Sequence, residues 1–188
     1  MRWNLVSDSS CDLLMSSFQS DLIRFETVPL RIQVGEREFV DHDTLDVPVM
    51  LAAMETQAEL LAVHDGARPL VTPEGVAQVI AAAREMGGAA LAVPVKDTLK
   101  RTDDNGYILD TPDRTNLWRV QTPQVFDTDI LRGALRKAVK DGAEITDDCS
   151  AVERLGLRIR MVEGDEQNIK ITTPTDLKLA EMLLEDVK

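Results

Sequence analysis

From Leu60 onward, short apolar runs alternate with amphipathic stretches that carry their own start and stop signals, and this rhythm restricts the possible folds most. Leu60-Leu61-Ala62-Val63 is an uninterrupted apolar run, as expected of a strand covered on both faces of a parallel sheet. Thr72-Pro73-Glu74 supplies a capping hydroxyl, a proline at the first helical position and an early acid; Gly87-Gly88 supplies the stop. Ala89 to Val95 predicts the next buried strand. Asp127 opens a helix that ends before Gly142, and Thr146-Asp147-Asp148 caps another that Gly156 closes. Leu157 to Val162 and Asn168 to Ile171 read as short strands. Thr173-Pro174-Thr175-Asp176 matches a capping box with Asp in the usual Glu or Gln place and starts a last helix through Leu184. Strand and helix in this order predict an α/β fold with a doubly wound, mostly parallel sheet, ligands lying at the carboxyl ends of the strands. One segment breaks the rhythm: Thr98 to Arg101 and Tyr107 to Asp110 alternate around Asp104-Asn105-Gly106, the signal of a protruding β-hairpin arm.

Upstream the texture differs. All seven lysines fall at or after Lys96, whereas the first 95 residues take their basic charge from Arg alone. Trp3 to Ser7 predicts a buried strand running into the polar turn Asp8-Ser9-Ser10-Cys11-Asp12. Phe25 to Val34 is a second strand candidate, and Val34-Gly35-Glu36-Arg37-Glu38 is a hairpin turn into Phe39-Val40. Asp46 then caps a helix from Val47 to Met54.

A net charge of -12 repels nucleic-acid phosphates and anionic lipid, so neither nucleic acid nor membrane is an expected partner. Any phosphate site must be a local cluster of Arg, Lys and backbone N–H groups. Cys11 and Cys149 are too few for a disulfide scaffold and too isolated for a C-x-x-C metal site. With no signal-like or membrane-spanning apolar run, the expectation is a soluble cytoplasmic protein with reduced thiols.

The string Val63-His64-Asp65-Gly66-Ala67-Arg68-Pro69 puts a carboxylate and a guanidinium just past the end of a buried strand. Two readings of Asp65 stand: it satisfies backbone donors in the turn, or it is a Mg²⁺ ligand, since that ion takes one or two carboxylates plus substrate phosphates. His64 reads as a packing residue. Arg114, just after the hairpin, pairs with a surface carboxylate or serves a site. Lys170 lies on a short strand whose neighbours Ile169 and Ile171 point to the opposite face, so it is either solvated or faces a site. Thr98, Thr122 and Thr146 read one at a time as a strand residue, a pre-proline turn residue and a helix cap. Asp147-Asp148 reads as a favourable charge at a helix N-terminus.

Together, Val63-His64-Asp65-x-Ala67-Arg68-Pro69, Pro94-Val95-Lys96-Asp97-Thr98-Leu99-Lys100-Arg101, Asp113-Arg114-x-x-Leu117-Trp118, Gln121-Thr122-Pro123-Gln124, Ile145-Thr146-Asp147 and Glu163-Gly164-x-x-x-Asn168-Ile169-Lys170 resemble the IspD family of methylerythritol-phosphate cytidylyltransferases, over residues 58–188. The resemblance implies a Rossmann-like fold and an enzyme that joins CTP to 2-C-methyl-D-erythritol 4-phosphate, releasing pyrophosphate. It implies that Asp65 holds Mg²⁺, that Arg114 and Lys170 act as the catalytic pair that positions the methylerythritol phosphate, and that Arg68, Thr98, Thr122 and Thr146 line the substrate site. It also implies a homodimer, the 96–113 arm carrying Thr98 and Arg114 into the partner's site. The family's Gly-rich loop with an Arg and a Lys, which binds CTP phosphates, has no counterpart in residues 1–57, so weak or lost turnover is expected.

Residues 1–57 instead resemble the start of the DegV fatty-acid-binding family, through Asp8-Ser9-Ser10-Cys11-Asp12, Val28-Pro29-Leu30-Arg31-Ile32, Val34-Gly35-x-x-x-Phe39-Val40-Asp41 and Leu45-Asp46-Val47-Pro48. The chain thus reads as two segments meeting near residue 57, possessing either two cores or one shared core in which Trp3 to Ser7 takes a central strand place beside Leu60 to Val63. A non-catalytic fusion or binding protein is the alternative function.

Overall fold

The helix-end signals act as written in the computed structural model, which describes residues 58–185 and the backbone of four short strands upstream. Helix α1 (Pro73–Met86) starts where the Thr72 hydroxyl accepts the Gly75 amide and stops at Gly87, whose φ of 81° suits a residue without a side chain. Helix α2 (Thr128–Asp141) begins under the Asp127 carboxylate, which accepts the amides of Asp129 and Ile130, and ends at Gly142. Helix α3 (Asp148–Glu153) carries a full capping box between Asp147 and Ser150. Before helix α4 (Pro174–Glu185), the Asp176 carboxylate accepts the amides and hydroxyls of both Thr172 and Thr173. These bonds outweigh the desolvation that pushes its pKa up, and leave it below the usual carboxylate value.

Upstream lie β1 (Trp3–Ser7), β2 (Ile23–Thr27), β3 (Arg31–Val34) and β4 (Arg37–Val40). The expected hairpin is present as the antiparallel pair β3–β4, with Val34 opposite Arg37. The run Phe25 to Val34, expected as one strand, falls into β2 and β3. Strand β1 pairs in parallel with β2, and among the described residues no ladder joins it to the main sheet. The polar turn at 8–12 and the helix expected at 47–54 lie outside the described residues.

The main sheet contains β5 (Leu60–Val63), β6 (Gly88–Pro94), β9 (Trp118–Asp127) and β10 (Arg160–Glu163), in the order β10-β6-β9-β5. Three of these strands share one direction and β9 runs against them. Both faces are covered. On one, Ala89, Leu91 and Val125 pack with Val79 and Ala83 of α1; on the other, Ala90 and Phe126 pack with Leu131, Ala134 and Leu135 of α2 and Ala151 and Val152 of α3. This is the doubly wound α/β architecture, in mixed form. Strand β5 is only half-buried, with Ala62 exposed, because β9 is its single neighbour among the described residues.

Strand β9 is the main element that the sequence reading missed, having taken Thr122-Pro123 for a turn. Proline cannot donate to a ladder and is tolerated at a bulge. The register between β6 and β9 shifts between Ala90 and Ala92, opposite the stretch that holds Pro123, and the Thr122–Pro123 peptide is cis. The arm is present as β7 (Arg101–Thr102) and β8 (Ile108–Asp110), closed by Gly106 at φ 84° and clasped by an Arg101–Asp110 ion pair at 2.6 Å. Its first strand is shorter than expected, since residues 98–100 lie outside it.

Candidate functional site

Strands β5 and β10 both deliver their carboxyl ends to one edge of the sheet, and β9 passes between them with Gln121 and Thr122 at that level. The loop after β5 carries His64, Asp65 and Arg68; the loop after β10 carries Asp165, Asn168 and Lys170. They meet over β9. The Ile171 amide donates to the Ala67 carbonyl oxygen at 2.8 Å, joining the loops backbone to backbone. The segment Asn168 to Ile171, expected as a strand, is an irregular loop held by these crossings.

Asp65 Oδ2 takes Arg68 Nε at 3.1 Å and stands 3.4 Å from Lys170 Nζ. Lys170 is thus turned toward Asp65 while its side chain stays about half exposed. The Asp65 amide donates to Thr122 Oγ1 at 3.0 Å, so the main chain of the turn is tied to β9 while the carboxylate meets the side chains of Arg68 and Lys170. Arg68 reaches across with Nη1 to the Asn168 carbonyl oxygen at 2.8 Å. Asp65, Arg68, Thr122 and Lys170 are thus assembled within a single chain. Thr146 is exposed one residue before the α3 cap, and its amide donates to Ser150 Oγ. Thr98 is exposed near the arm's root, and Arg114 donates to the Lys96 carbonyl oxygen there. Neither is brought to the Asp65 cluster within the chain.

Asn168, only 1% exposed, is the hub. Its side-chain amide donates to the Thr122 carbonyl oxygen at 3.0 Å and to Gln121 Oε1 at 3.2 Å, while Gln121 Nε2 donates to the Asp165 carbonyl oxygen. Gly164 is needed beside it, because a Cβ there would stand 2.5 Å from Gln121 Oε1. Gln124 plays a parallel part, bonding Asp147 Oδ2 and the Cys149 amide, and so fixes the start of α3 against β9. Sequence reading passed over Gln121, Gln124 and Asn168 as individuals. Their polar character inside apolar surroundings was the available signal, but a buried amide cannot be told from an exposed one until its partners are known.

Asp148 shows the electrostatic cost of the arrangement. Burial, then the charges of Asp147 and Asp65, push its carboxyl up to about 6. The same burial, with Asp147 and Asp148 beside it, pushes the Cys149 thiol well above its ordinary value and leaves it unreactive. Because the folded state holds the Asp148 proton more tightly than the unfolded chain, the associated stability is complete below about pH 4 and is lost as the pH rises through 6. Asp148→Asn is expected to stabilise the protein by about 2 kcal/mol at pH 7.5 and by nearly nothing at pH 4, as read from urea midpoints at the two pH values.

The sheet, with cations and a carboxylate gathered at its strands' carboxyl ends, defines the class: a Rossmann-like α/β architecture with its candidate site where such folds place ligands. The family model described as IspD, 2-C-methyl-D-erythritol 4-phosphate cytidylyltransferase, matches residues 37–186. A 2-C-methyl-D-erythritol 4-phosphate cytidylyltransferase of Caldanaerobacter subterraneus subsp. tengcongensis is 51% identical over 158 residues, covering 83% of this chain and 67% of that protein. One from Desulforamulus reducens is 46% identical over 77% of this chain and 62% of its own length. The crystal structure of the Thermus thermophilus enzyme of that name aligns with a TM-score of 0.68 at 35% identity, over 86% of this chain and 80% of the other. The chain belongs to the IspD family. It spans about three-fifths to two-thirds of the length of such curated relatives. The match begins at residue 37, upstream of the junction expected near 57.

Proposed function

We propose that the chain carries the methylerythritol phosphate half of a CTP:methylerythritol phosphate cytidylyltransferase site, with turnover weak or lost. The observation that carries this reading is the Asp65–Arg68–Lys170 cluster fixed over Thr122. A phosphate oxygen of the methylerythritol phosphate attacks the α-phosphorus of CTP, the bond to the β-phosphate breaks, and pyrophosphate leaves. No side-chain nucleophile is needed, so positioning and charge neutralisation do the work. Lys170 and Arg68 bring cationic groups to the incoming phosphate and to Asp65, and Thr122 and Thr146 line the pocket. Oδ1 of Asp65 has no bond among the described residues, which suits it to be the single protein ligand of a Mg²⁺ otherwise held by phosphates and water. No group of three metal-ligating side chains occurs among the described residues, so a cage built by the protein alone does not fit. When bound there, Mg²⁺ neutralises phosphate charge.

In the same reading the chain is a cytoplasmic homodimer. Tyr107, Ile108 and Leu109 on the arm are 73%, 61% and 63% exposed, an apolar tip that suits a second copy, and the arm would deliver Thr98 and Arg114 to the partner's site. Among the described residues no helix is long and apolar enough to cross a membrane. The second reading is a non-catalytic fusion or binding protein; it rests on the sequence resemblance of residues 1–57 alone, of which 37–57 fall inside the IspD family match. One pair of measurements on the full chain separates them. Calorimetry is expected to show methylerythritol phosphate binding, while pyrophosphate release with CTP and Mg²⁺ falls at least about a thousandfold below that of a full-length relative. Robust turnover overturns the loss of activity; absent binding overturns the site.

A further inference from the structure

We propose that His64 is a positioning residue that sets the polarity of the Thr122 hydroxyl, so that Thr122 offers its ligand a lone pair and selects an alcohol O–H rather than a phosphate oxygen. The bonds around His64 settle where its hydrogen sits. Nε2 stands 3.1 Å from the Arg68 carbonyl oxygen, which can only accept, so Nε2 carries the hydrogen. An imidazole with one hydrogen then presents Nδ1 as an acceptor, and Nδ1 lies 2.9 Å from Thr122 Oγ1. The Thr122 hydroxyl has one hydrogen and two lone pairs. The Asp65 amide takes one lone pair at 3.0 Å and His64 takes the hydrogen. One lone pair is left, and it can meet only a donor.

Phosphate oxygens at neutral pH are acceptors in the main, whereas the free hydroxyls of a polyol phosphate donate. The arrangement therefore divides the ligand. Lys170 and Arg68 suit its anionic end, and Thr122 suits a hydroxyl on its carbon chain. His64 also ties the 65–68 turn to β9, because its two nitrogens bridge Arg68 and Thr122. It touches no reacting atom in this scheme. The inference rests on reading the site as one for methylerythritol phosphate, and the test separates the two.

The chain has two histidines, so ¹⁵N–¹H long-range correlation spectra of the full chain at pH 8 can be assigned with His42→Gln alone. The expected spectrum shows His64 with hydrogen on Nε2, and Thr122→Val shifts its Nδ1 resonance while sparing Nε2. Hydrogen on Nδ1 would overturn the proposal, as would an Nδ1 resonance indifferent to Thr122→Val. In calorimetry with methylerythritol phosphate, His64→Leu is expected to weaken binding about tenfold, the size of one lost hydrogen bond. His64→Gln, which keeps a donor and an acceptor, should stay within about threefold of the parent chain. Equal binding by the Leu variant, or equal loss in both variants, would overturn it. If the parent chain binds no methylerythritol phosphate, the substrate reading falls, and the spectra still decide the orientation of His64.

Discussion

Asn168→Asp is expected to cost about 3 kcal/mol of stability and to abolish methylerythritol phosphate binding together. The substitution is nearly isosteric, but it replaces a donor by a carboxylate oxygen between two acceptors, the Thr122 carbonyl oxygen and Gln121 Oε1. At 1% exposure no solvent relieves the mismatch, and a buried charge without a partner belongs to the short class of severely destabilising changes. Binding falls with it because Arg68 is held through the Asn168 carbonyl oxygen and Lys170 follows two residues on. A urea midpoint and a calorimetric titration on the same sample check both halves. A variant that keeps its midpoint but loses its ligand would show that Asn168 acts only at the site.

Lys170→Gln is expected to separate what Asn168→Asp joins. Lys170 and Asp65 pair at 3.4 Å with side chains 48% and 31% exposed, so solvent screens the bond and its loss should move stability by less than about 1 kcal/mol. The phosphate of the ligand meets the same ammonium once water has been displaced, where a charge-assisted contact is much stronger. Affinity for methylerythritol phosphate is expected to fall about a hundredfold, with the urea midpoint nearly constant. A loss under threefold would mean that Lys170 serves Asp65 and not the ligand.

The contrast shows which parts of the molecule were legible beforehand. Helices α1 and α2 announced both ends and α3 its start, since a capping hydroxyl or carboxylate and a glycine at positive φ are local chemistry written within a few residues; α3 ends at Glu153, before the Gly156 expected to close it. The paired faces of β6 were legible from apolar run length. Strand β9 was not, because Pro123 argues against a ladder unless a bulge is known to lie there, and a bulge is a property of two strands. Asp65, Arg68 and Lys170 were singled out by charge near strand ends and by resemblance. Residues 65 and 170 are brought together only by a fold that sets the loops after β5 and β10 side by side. Asn168 and Gln121 stayed hidden because their importance lies wholly in their partners. His64, set aside as a packing residue, makes two bonds, at 2.9 Å to Thr122 and 3.1 Å to the Arg68 carbonyl oxygen, and the first of these spans 58 residues and is not written in its neighbours along the chain.

The crossing of the two loops over β9 also governs how this site can be moved or altered. Ile171 is tied to Ala67 and Arg68 to Asn168, while Asn168 and Asp65 are both tied to Thr122. Three stretches distant in sequence thus form a closed mesh of bonds, several made by main-chain atoms that substitutions other than proline leave in place. Grafting the loop 64–68 alone onto another sheet would carry the charges but leave their spacing behind. The smallest portable unit is both loops with the segment of β9 beneath them, and specificity in such a unit is retuned at its rim before its centre.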